Sequence, residues 1–209
     1  MFLKKYPIPC ESGSLVERLE GEIRLLTKLV VSQAKEISDL RSNMFIEPLS
    51  LLYTRKGMEH KMHSILAVDR RNNQKNVLKH CAVILIDLDD FKTINDLQSH
   101  HIGDIVIQQV GKDIRECFRE GDICARWGGD EFVVIVQDAY IHLVKSQIET
   151  LRQKLALIPI TASIGAVQLS EPITHDEKLF WKKVEEAINR ADNAMYVGKR
   201  FGKNRVVYC

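Results

Sequence analysis

The chain has 209 residues, of which 30 are Lys or Arg and 28 are Asp or Glu, so its net charge is +2 with neutral histidines. A content of 45% hydrophobic and 28% charged residues is that of a globular protein and argues against disorder, and the length fits one domain with one extra element. A charge this close to zero gives no case for a nucleic-acid partner, which needs a clustered basic face.

No membrane segment or export signal is predicted. The longest apolar run, Cys81–Ile86, is far shorter than the roughly 20 residues that a membrane span needs, and residues 1–13 lack the apolar stretch of a signal peptide. The five cysteines stand at positions 10, 81, 117, 124 and 209 and form no CxxC pair. We therefore expect a cytoplasmic protein with reduced thiols, in which residues 1–13 are a short tail with no sensor domain before the first helix.

The first predicted element is a long helix over residues 14–46, which begins at a capping box formed by Ser14 and Glu17. A seam with alternating spacings of three and four residues follows, at Val16, Leu19, Ile23, Leu26, Val30, Gln33, Ile37, Leu40 and Met44. All but Gln33 are apolar, and this strict period predicts a coiled coil that forms a homodimer. The alternative is a single long helix that lies on its own domain.

After Pro48 the patterns of helices and strands alternate. They predict helices over 55–68, 91–96, 102–118, 140–157 and 177–198, a polar loop over 69–76, and strands over 80–87, 122–127, 132–137, 159–169 and 206–208. The second and third strands read as a hairpin, which requires an antiparallel pair. The expected fold class is therefore α/β, with a mixed sheet flanked by helices.

Two acidic clusters stand out among these elements. Asp87–Asp90 follows the buried strand, and Asp130–Glu131 lies in the hairpin turn that Gly128–Gly129 opens. If the two strands are neighbours, the clusters meet at one end of the sheet, where paired carboxylates would hold Mg²⁺. The alternative is two acidic surface turns that bind nothing.

Six blocks of sequence occur in a fixed order: Asp87–Asp96, His100–Asp104, Arg126–Phe132, Ser163–Gly165, Ala191–Tyr196 and Lys199–Asn204. At compatible spacing they resemble the motifs of the GGDEF-domain diguanylate cyclases, from about Glu47 to Val207. The resemblance implies a catalytic domain over 47–209, with an α+β, ferredoxin-like core similar to the palm of polymerases and class III nucleotidyl cyclases.

The resemblance also implies a role for each matching residue. The ligands of Mg²⁺, or of Mn²⁺ in its place, would be Asp87, the Leu88 carbonyl, Asp130 and Glu131. Asp130, Glu131 and Lys92 would be catalytic, and which carboxylate acts as the base stays open. The GTP substrate would contact Phe91, Asn95, His100, Asp104, Gly128, Gly129, Lys199 and Lys203. A carboxylate at Asp104 can accept hydrogen bonds from N1–H and N2–H₂ of guanine, a donor pair that adenine lacks, which favours GTP over ATP.

One further pattern is regulatory. Arg119 and Asp122 form an R-x-x-D pair shortly before Gly128, at the offset of the family's product-inhibition site. The resemblance implies that this pair binds cyclic di-GMP as a feedback inhibitor. A salt bridge within a turn is the alternative.

Three positions depart from the family's pattern. Leu51 stands where the family has Gly, Thr54 where it has Asn, and Ser99 where a Gly commonly precedes His100. These changes put in doubt the turn near the nucleotide pocket and the efficiency of catalysis, although they remove no predicted metal ligand.

The predicted function is condensation of two GTP into cyclic di-GMP across a homodimer, with release of pyrophosphate. Its input would be either a partner that binds the helix or product feedback alone. One alternative is a catalytically weak receptor for GTP or cyclic di-GMP that signals through its coiled coil. Another is an enzyme that makes a mixed GMP–AMP product.

Overall fold

The computed structural model describes residues 14–72, 80–169 and 177–209. Contacts divide the chain into one unit that ends at Ser42 and a second unit, Asn43–Cys209. The first unit consists mainly of helix α1 (Ser14–Phe45), in agreement with the helix predicted over 14–46. None of the helices in these ranges is long and apolar enough to cross a membrane.

Helix α1 presents its predicted seam to solvent in the single chain. Leu19, Ile23, Leu26 and Val30 have exposed fractions between 48% and 62%, and the side chains of Val16, Ile37, Leu40 and Met44 lie outside the described residues. A row of half-exposed leucine, isoleucine and valine side chains gains free energy when a second helix covers it. The coiled coil itself stays a prediction.

The second unit alternates strands and helices. In chain order its elements are β1 (Tyr53–Thr54), α2 (Arg55–Asn72), β2 (Cys81–Leu88), α3 (Phe91–Leu97), α4 (His100–Cys117), β3 (Ile123–Gly128), β4 (Glu131–Gln137), α5 (Ile141–Leu155), β5 (Ala162–Leu169), α6 (Glu177–Arg200) and β6 (Val206–Tyr208). The six strands form one sheet in the order β1-β3-β4-β2-β5-β6. Strand β2 pairs antiparallel with β4 and β5, while the outer pairs β1–β3 and β5–β6 are parallel. The predicted mixed sheet flanked by helices is confirmed.

Strand β2 is buried along its whole length because each face of the sheet carries helices. Ile84 and Ile86 pack in the cluster that includes residues of α4 and α5, whereas Val83 and Leu85 pack in the cluster that includes residues of α2 and α6. Successive side chains of a strand point to opposite faces. Asp87, two residues after Leu85, therefore lies on the same face as Leu85, which is the face that α6 covers.

Three elements differ clearly from the prediction. Strand β5 begins at Ala162, three residues after the predicted start at 159. Helix α2 continues to Asn72, so the predicted loop over 69–76 was wrong for its first four residues. Polar residues do not by themselves end a helix, since a helix satisfies its own backbone hydrogen bonds. Strand β1 was not predicted because its two residues are too short for any periodicity, and it exists only through its pairing with β3.

Candidate active site

The two acidic clusters meet where strands β2 and β4 lie side by side. Asp87 and Glu131 are directly opposite each other in the antiparallel register, and the Leu88 N–H donates a hydrogen bond of 3.2 Å to the Asp130 carbonyl. Val133 and Ile135 of β4 pack on the α6 face, so alternation places Glu131 on that face too, beside Asp87. The structure therefore brings Asp87, Leu88, Asp130 and Glu131 together at one end of the sheet.

Burial and mutual repulsion make this acidic group electrostatically strained. Burial raises the pKa of Asp87 above its ordinary value, against the opposing hydrogen bond from Lys199, and Asp130 and Asp89 raise it further. The pKa of Glu131 is raised first by burial and then by the charges of Asp87 and Asp130. Like charges directly opposite on a sheet destabilise it, so the site favours the presence of a cation.

Two lysines of the C-terminal block reach the first acidic cluster. The Lys199 ammonium lies 2.7 Å from Oδ2 of Asp87, and the Lys203 ammonium lies 2.6 Å from Oδ1 of Asp90. Lys199 belongs to the last turn of α6, whereas Lys203 lies in the turn that follows, where Gly202, Lys203 and Asn204 all have positive φ. That turn directs the chain from α6 into β6.

Asp89 holds this turn in place, a role that sequence reasoning missed. Its buried carboxylate accepts hydrogen bonds of 2.7 Å from the hydroxyl of Thr161, 2.7 Å from the hydroxyl of Ser163 and 3.0 Å from the backbone N–H of Asn204. Arg152 adds a bond of 2.7 Å to the Asn204 side chain. The only signal in the sequence was the co-occurrence of the D-x-D and S-I-G blocks.

The predicted guanine-binding residues lie on α3 and the start of α4. Asn95 is half-buried, while Lys92, His100 and Asp104 are exposed. Gly103 faces Asn95 and Phe91 so closely that a Cβ at this position would collide with the Asn95 side-chain oxygen. Gly103, which directly precedes Asp104 in the chain, thus lets α4 approach α3 closely. The same close approach sets the position of the Asn95 side chain.

A divalent ion fits the donor set of this acidic end. Within the described ranges, no three acidic, His or Cys side chains converge tightly enough to form a complete metal cage. Mg²⁺ is commonly held by one or two carboxylates and completes its shell with phosphate and water oxygens. Asp87, Asp130, Glu131 and the Leu88 carbonyl supply such a partial set, and the ammonium of Lys199 already occupies it as a cation.

Arg119 and Asp122 form a closed turn. Arg119 Nε lies 3.2 Å from Oδ1 of the buried Asp122, and the guanidinium also donates to the Gln137 carbonyl. Asp122 accepts a further hydrogen bond of 3.2 Å from the Gln137 N–H. A ligand phosphate would have to compete with these bonds for Arg119.

A cavity of about 340 Å³ lies beside this turn. It is lined by Ile46, Leu51, Leu52, Tyr53, Arg115, Phe118, Arg119, Glu120, Asp122 and Cys124. Asp122 precedes β3 and Gly128 ends it, so the cavity and the acidic clusters are at opposite ends of that strand.

Two of the three departures from the family's pattern lie where the backbone favours glycine. Leu51 has φ +56° and Ser99 has φ +134°, both values in the region that side chains with a Cβ rarely adopt. Leu51 is also largely exposed. The chain therefore carries local backbone strain on the approach to α2 and at the start of α4.

Comparison with known proteins identifies a matching family. A family described as "Diguanylate cyclase, GGDEF domain" matches residues 44–205. Diguanylate cyclase VdcA of Vibrio cholerae is 26% identical over 185 residues, which cover 86% of this chain and 51% of VdcA. The chain thus spans about half the length of that relative.

Solved structures share the fold. The solved chain with the coiled coil and GGDEF domain of DgcB from Caulobacter crescentus, in complex with c-di-GMP, has a TM-score of 0.75 and 24% identity. The match covers 91% of this chain and 99% of that solved chain. The diguanylate cyclase SiaD of Pseudomonas aeruginosa, in complex with its activator SiaC, has a TM-score of 0.66 and 23% identity. The match covers 95% of this chain and 77% of the solved SiaD chain.

Proposed function

The chain belongs to the GGDEF-domain diguanylate cyclase family, and we propose that it condenses two GTP molecules into cyclic di-GMP and releases two pyrophosphates. The observation that carries this proposal is the pairing of Asp87 with Glu131, beside Asp130, at the end of β2 and β4. Carboxylates on two neighbouring strands are held rigidly enough to bind a metal–triphosphate complex.

The acidic residues and lysines have separable tasks in this reaction. Asp87, Asp130, Glu131 and the Leu88 carbonyl would hold Mg²⁺ or Mn²⁺, which when bound neutralises phosphate charge and orients the triphosphate. The lysines at 92, 199 and 203 would neutralise the remaining negative charge as the 3′-hydroxyl attacks the α-phosphorus in line. Asp130 and Glu131 are the candidates for accepting the proton of that hydroxyl.

The residues around Gly103 would bind the base. Asp104 would accept from N1–H and N2–H₂ of guanine, with Asn95, Phe91 and His100 lining the same pocket. The backbone of Gly128–Gly129 would approach the phosphates, since these residues have no side chains in the way. A site that pairs with a donor group discriminates strongly against an analogue that lacks it, so GTP would be preferred over ATP.

Condensation of two nucleotides would require two copies of the chain. Each domain would hold one GTP, and the two hydroxyls must face the two α-phosphates across a homodimer. The exposed apolar seam of α1 supports a coiled coil that raises the effective concentration of the second domain. In this proposal the coil is part of the catalytic apparatus.

An input partner would bind the same helix. Leu25 and Val31 are more than half exposed and lie away from the seam, so a dimer through the seam would leave them uncovered. The printed description of SiaD names an activator protein, and a partner of that kind supports a signal received on α1.

Product feedback would act at Arg119 and Asp122. Arg119 would leave the Gln137 carbonyl to clamp a phosphate of cyclic di-GMP and stack on guanine, while Asp122 would accept from the base edge. We expect Arg119→Ala to weaken inhibition by added cyclic di-GMP. Unchanged inhibition in a titration of product against initial rate would remove this part of the proposal.

A catalytically weak receptor is the second candidate function. The strain at Leu51 and Ser99 favours it, because Ser99 adjoins His100 of the predicted base pocket and Leu51 lies in a segment that departs from the family's pattern. Such a protein would bind GTP or cyclic di-GMP without appreciable turnover.

Incubation of the purified chain with GTP, ATP and Mg²⁺, followed by separation of the products, tests all of these functions. The expected product is cyclic di-GMP alone, and Asp130→Asn should abolish it while leaving the dimer intact in light scattering. A mixed GMP–AMP product would contradict the base assignment. Nucleotide binding without any product would favour the receptor, and normal turnover by Asp130→Asn would contradict the metal assignment.

A further inference from the structure

Lys199 is the cation that pairs with Asp87 in the acidic site. Its ammonium lies 2.7 Å from Oδ2 of Asp87, and the two side chains are 32% and 10% exposed. Asp87 also faces Glu131 across the strand pair and feels the charges of Asp130 and Asp89. Lys199 therefore offsets a local excess of negative charge that burial would otherwise make costly.

This contact competes with the tasks that both partners would have in catalysis. Asp87 divides its negative charge between the Lys199 ammonium and any divalent ion that binds its carboxylate. Conversely, an ammonium held at Asp87 offers a triphosphate fewer of its three N–H donors and less of its charge. Each ligand therefore weakens the same ion pair when it binds alone.

From this competition we infer that Lys199 is an exchangeable internal counter-ion that makes metal binding and triphosphate binding depend on each other. A divalent ion that binds at Asp87 releases Lys199 for the phosphates, and a triphosphate that draws Lys199 away frees Asp87 for the ion. Coupling of this kind is reciprocal in binding free energy. The inference rests on the proposed function, because it assumes that the acidic end binds a metal–nucleotide complex.

Lys203 provides a matched control in the neighbouring turn. Its ammonium lies 2.6 Å from Asp90, but the side chains of this pair are 41% and 65% exposed. Exposed ion pairs contribute little to stability because water solvates the same charged groups. Lys203→Met thus removes the same charge near the same cluster without removing an occupant of the Asp87 oxygen.

The test is a titration of the purified 209-residue chain, without nucleotide, with Mn²⁺, in which electron paramagnetic resonance measures free Mn²⁺. Lys199→Met should bind Mn²⁺ about tenfold more tightly than the wild type, and Lys203→Met no more than about twofold more tightly. With a non-reactive α,β-methylene analogue of GTP, the wild type should gain Mn²⁺ affinity, and Lys199→Met should lose most of that gain.

Each result has a distinct meaning. An unchanged or lower Mn²⁺ affinity of nucleotide-free Lys199→Met would overturn the inference, as would equal increases in the two lysine variants, which would indicate a general charge effect. If the wild type bound Mn²⁺ neither alone nor with the analogue, the proposed function would fail as well. Melting curves of both variants would show that they are folded.

Discussion

The guanidinium of Arg126 lies 3.1 Å from the carboxylate of Glu47 and donates two further hydrogen bonds, of 2.9 and 2.7 Å, to the carbonyl of Gly129. Glu47 follows the last residues of α1, and Gly129 directly precedes Asp130. One side chain thus connects the segment after the first helix to the turn that carries the acidic residues. A displacement of Glu47 would be transmitted to that turn through a short, partly buried contact.

The first prediction concerns the charge at Glu47. Burial would raise its pKa, but hydrogen bonds from Ser50 and Leu49 and the charge of Arg126 together bring the pKa below its ordinary value of 4.5. We expect Glu47→Gln to lower the free energy of unfolding by about 2 kcal/mol at pH 7, because it removes the ion pair and leaves donors unsatisfied. Urea denaturation would measure the change.

The pH dependence and a control sharpen this prediction. A carboxyl whose pKa is lowered by folding stabilises the protein above its unfolded pKa, and that contribution disappears as the pH falls through the folded value. The difference in free energy of unfolding between the wild type and Glu47→Gln should therefore become smaller at acidic pH. Glu185→Gln, which breaks an exposed pair with Arg55, should cost less than about 0.5 kcal/mol. Equal losses in the two variants would contradict the prediction.

The second prediction concerns Glu131, where we expect loss of the charge to stabilise the protein. Burial and the charges of Asp87 and Asp130 raise the pKa of Glu131, so the native state binds protons more tightly than the unfolded state and loses stability as the pH rises through that window. We expect Glu131→Gln to stabilise the metal-free protein at pH 7 by about 0.5 kcal/mol, because it removes the repulsion between two negative charges on paired strands. Thermal melts in the presence of a chelator would measure it.

The advantage of Glu131→Gln should vanish in acid, where the wild-type carboxyl is protonated. Glu116 is the matched control, since its contact with Lys154 lowers its pKa, and Glu116→Gln should give no stabilisation. A destabilised Glu131→Gln at pH 7 would show that repulsion does not dominate at this position.

The third prediction concerns the strained backbone at Ser99. Its φ of +134° and ψ of +159° lie in a region that is almost confined to glycine, at a cost of roughly 1–3 kcal/mol for other residues. Ser99→Gly should raise the free energy of unfolding by about 1 kcal/mol, after the greater chain entropy of unfolded glycine is counted. Ser99→Ala keeps the Cβ and should give no gain, and equal stability of the two variants would argue against strain.

The fourth prediction concerns the close approach at Gly103. A methyl group there would collide with the end of the Asn95 side chain and displace it. We expect Gly103→Ala to weaken GTP binding about tenfold, the effect of one lost hydrogen bond, with a smaller effect on stability. Calorimetric titration with a non-reactive GTP analogue measures this, and Gly21→Ala, whose added Cβ meets no neighbouring atom, should leave the affinity unchanged. A normal affinity of Gly103→Ala would exclude Asn95 from the pocket.

The residues that contact each other across the site show where sequence reasoning was sufficient and where it was not. The hairpin around Gly129 and the apolar run of β2 are local patterns, so their strands could be predicted from spacing alone. The bond between Asp89 and Asn204 joins residues 115 positions apart, and no local pattern reports such a contact. The same holds for the two-residue strand β1, which needs a partner strand to form.

The order of elements, the acidic and basic blocks and the apolar seam of α1 follow from the amino-acid sequence, because periodicity and residue type act over a few neighbouring positions. Only the tertiary structure decided that Lys199 occupies the Asp87 carboxylate and that Arg126 joins Glu47 to Gly129. Those pairings depend on how strands and helices pack, which determines the distances between charges that are remote in the chain. Electrostatic energy depends on those distances and on burial, and folding sets both.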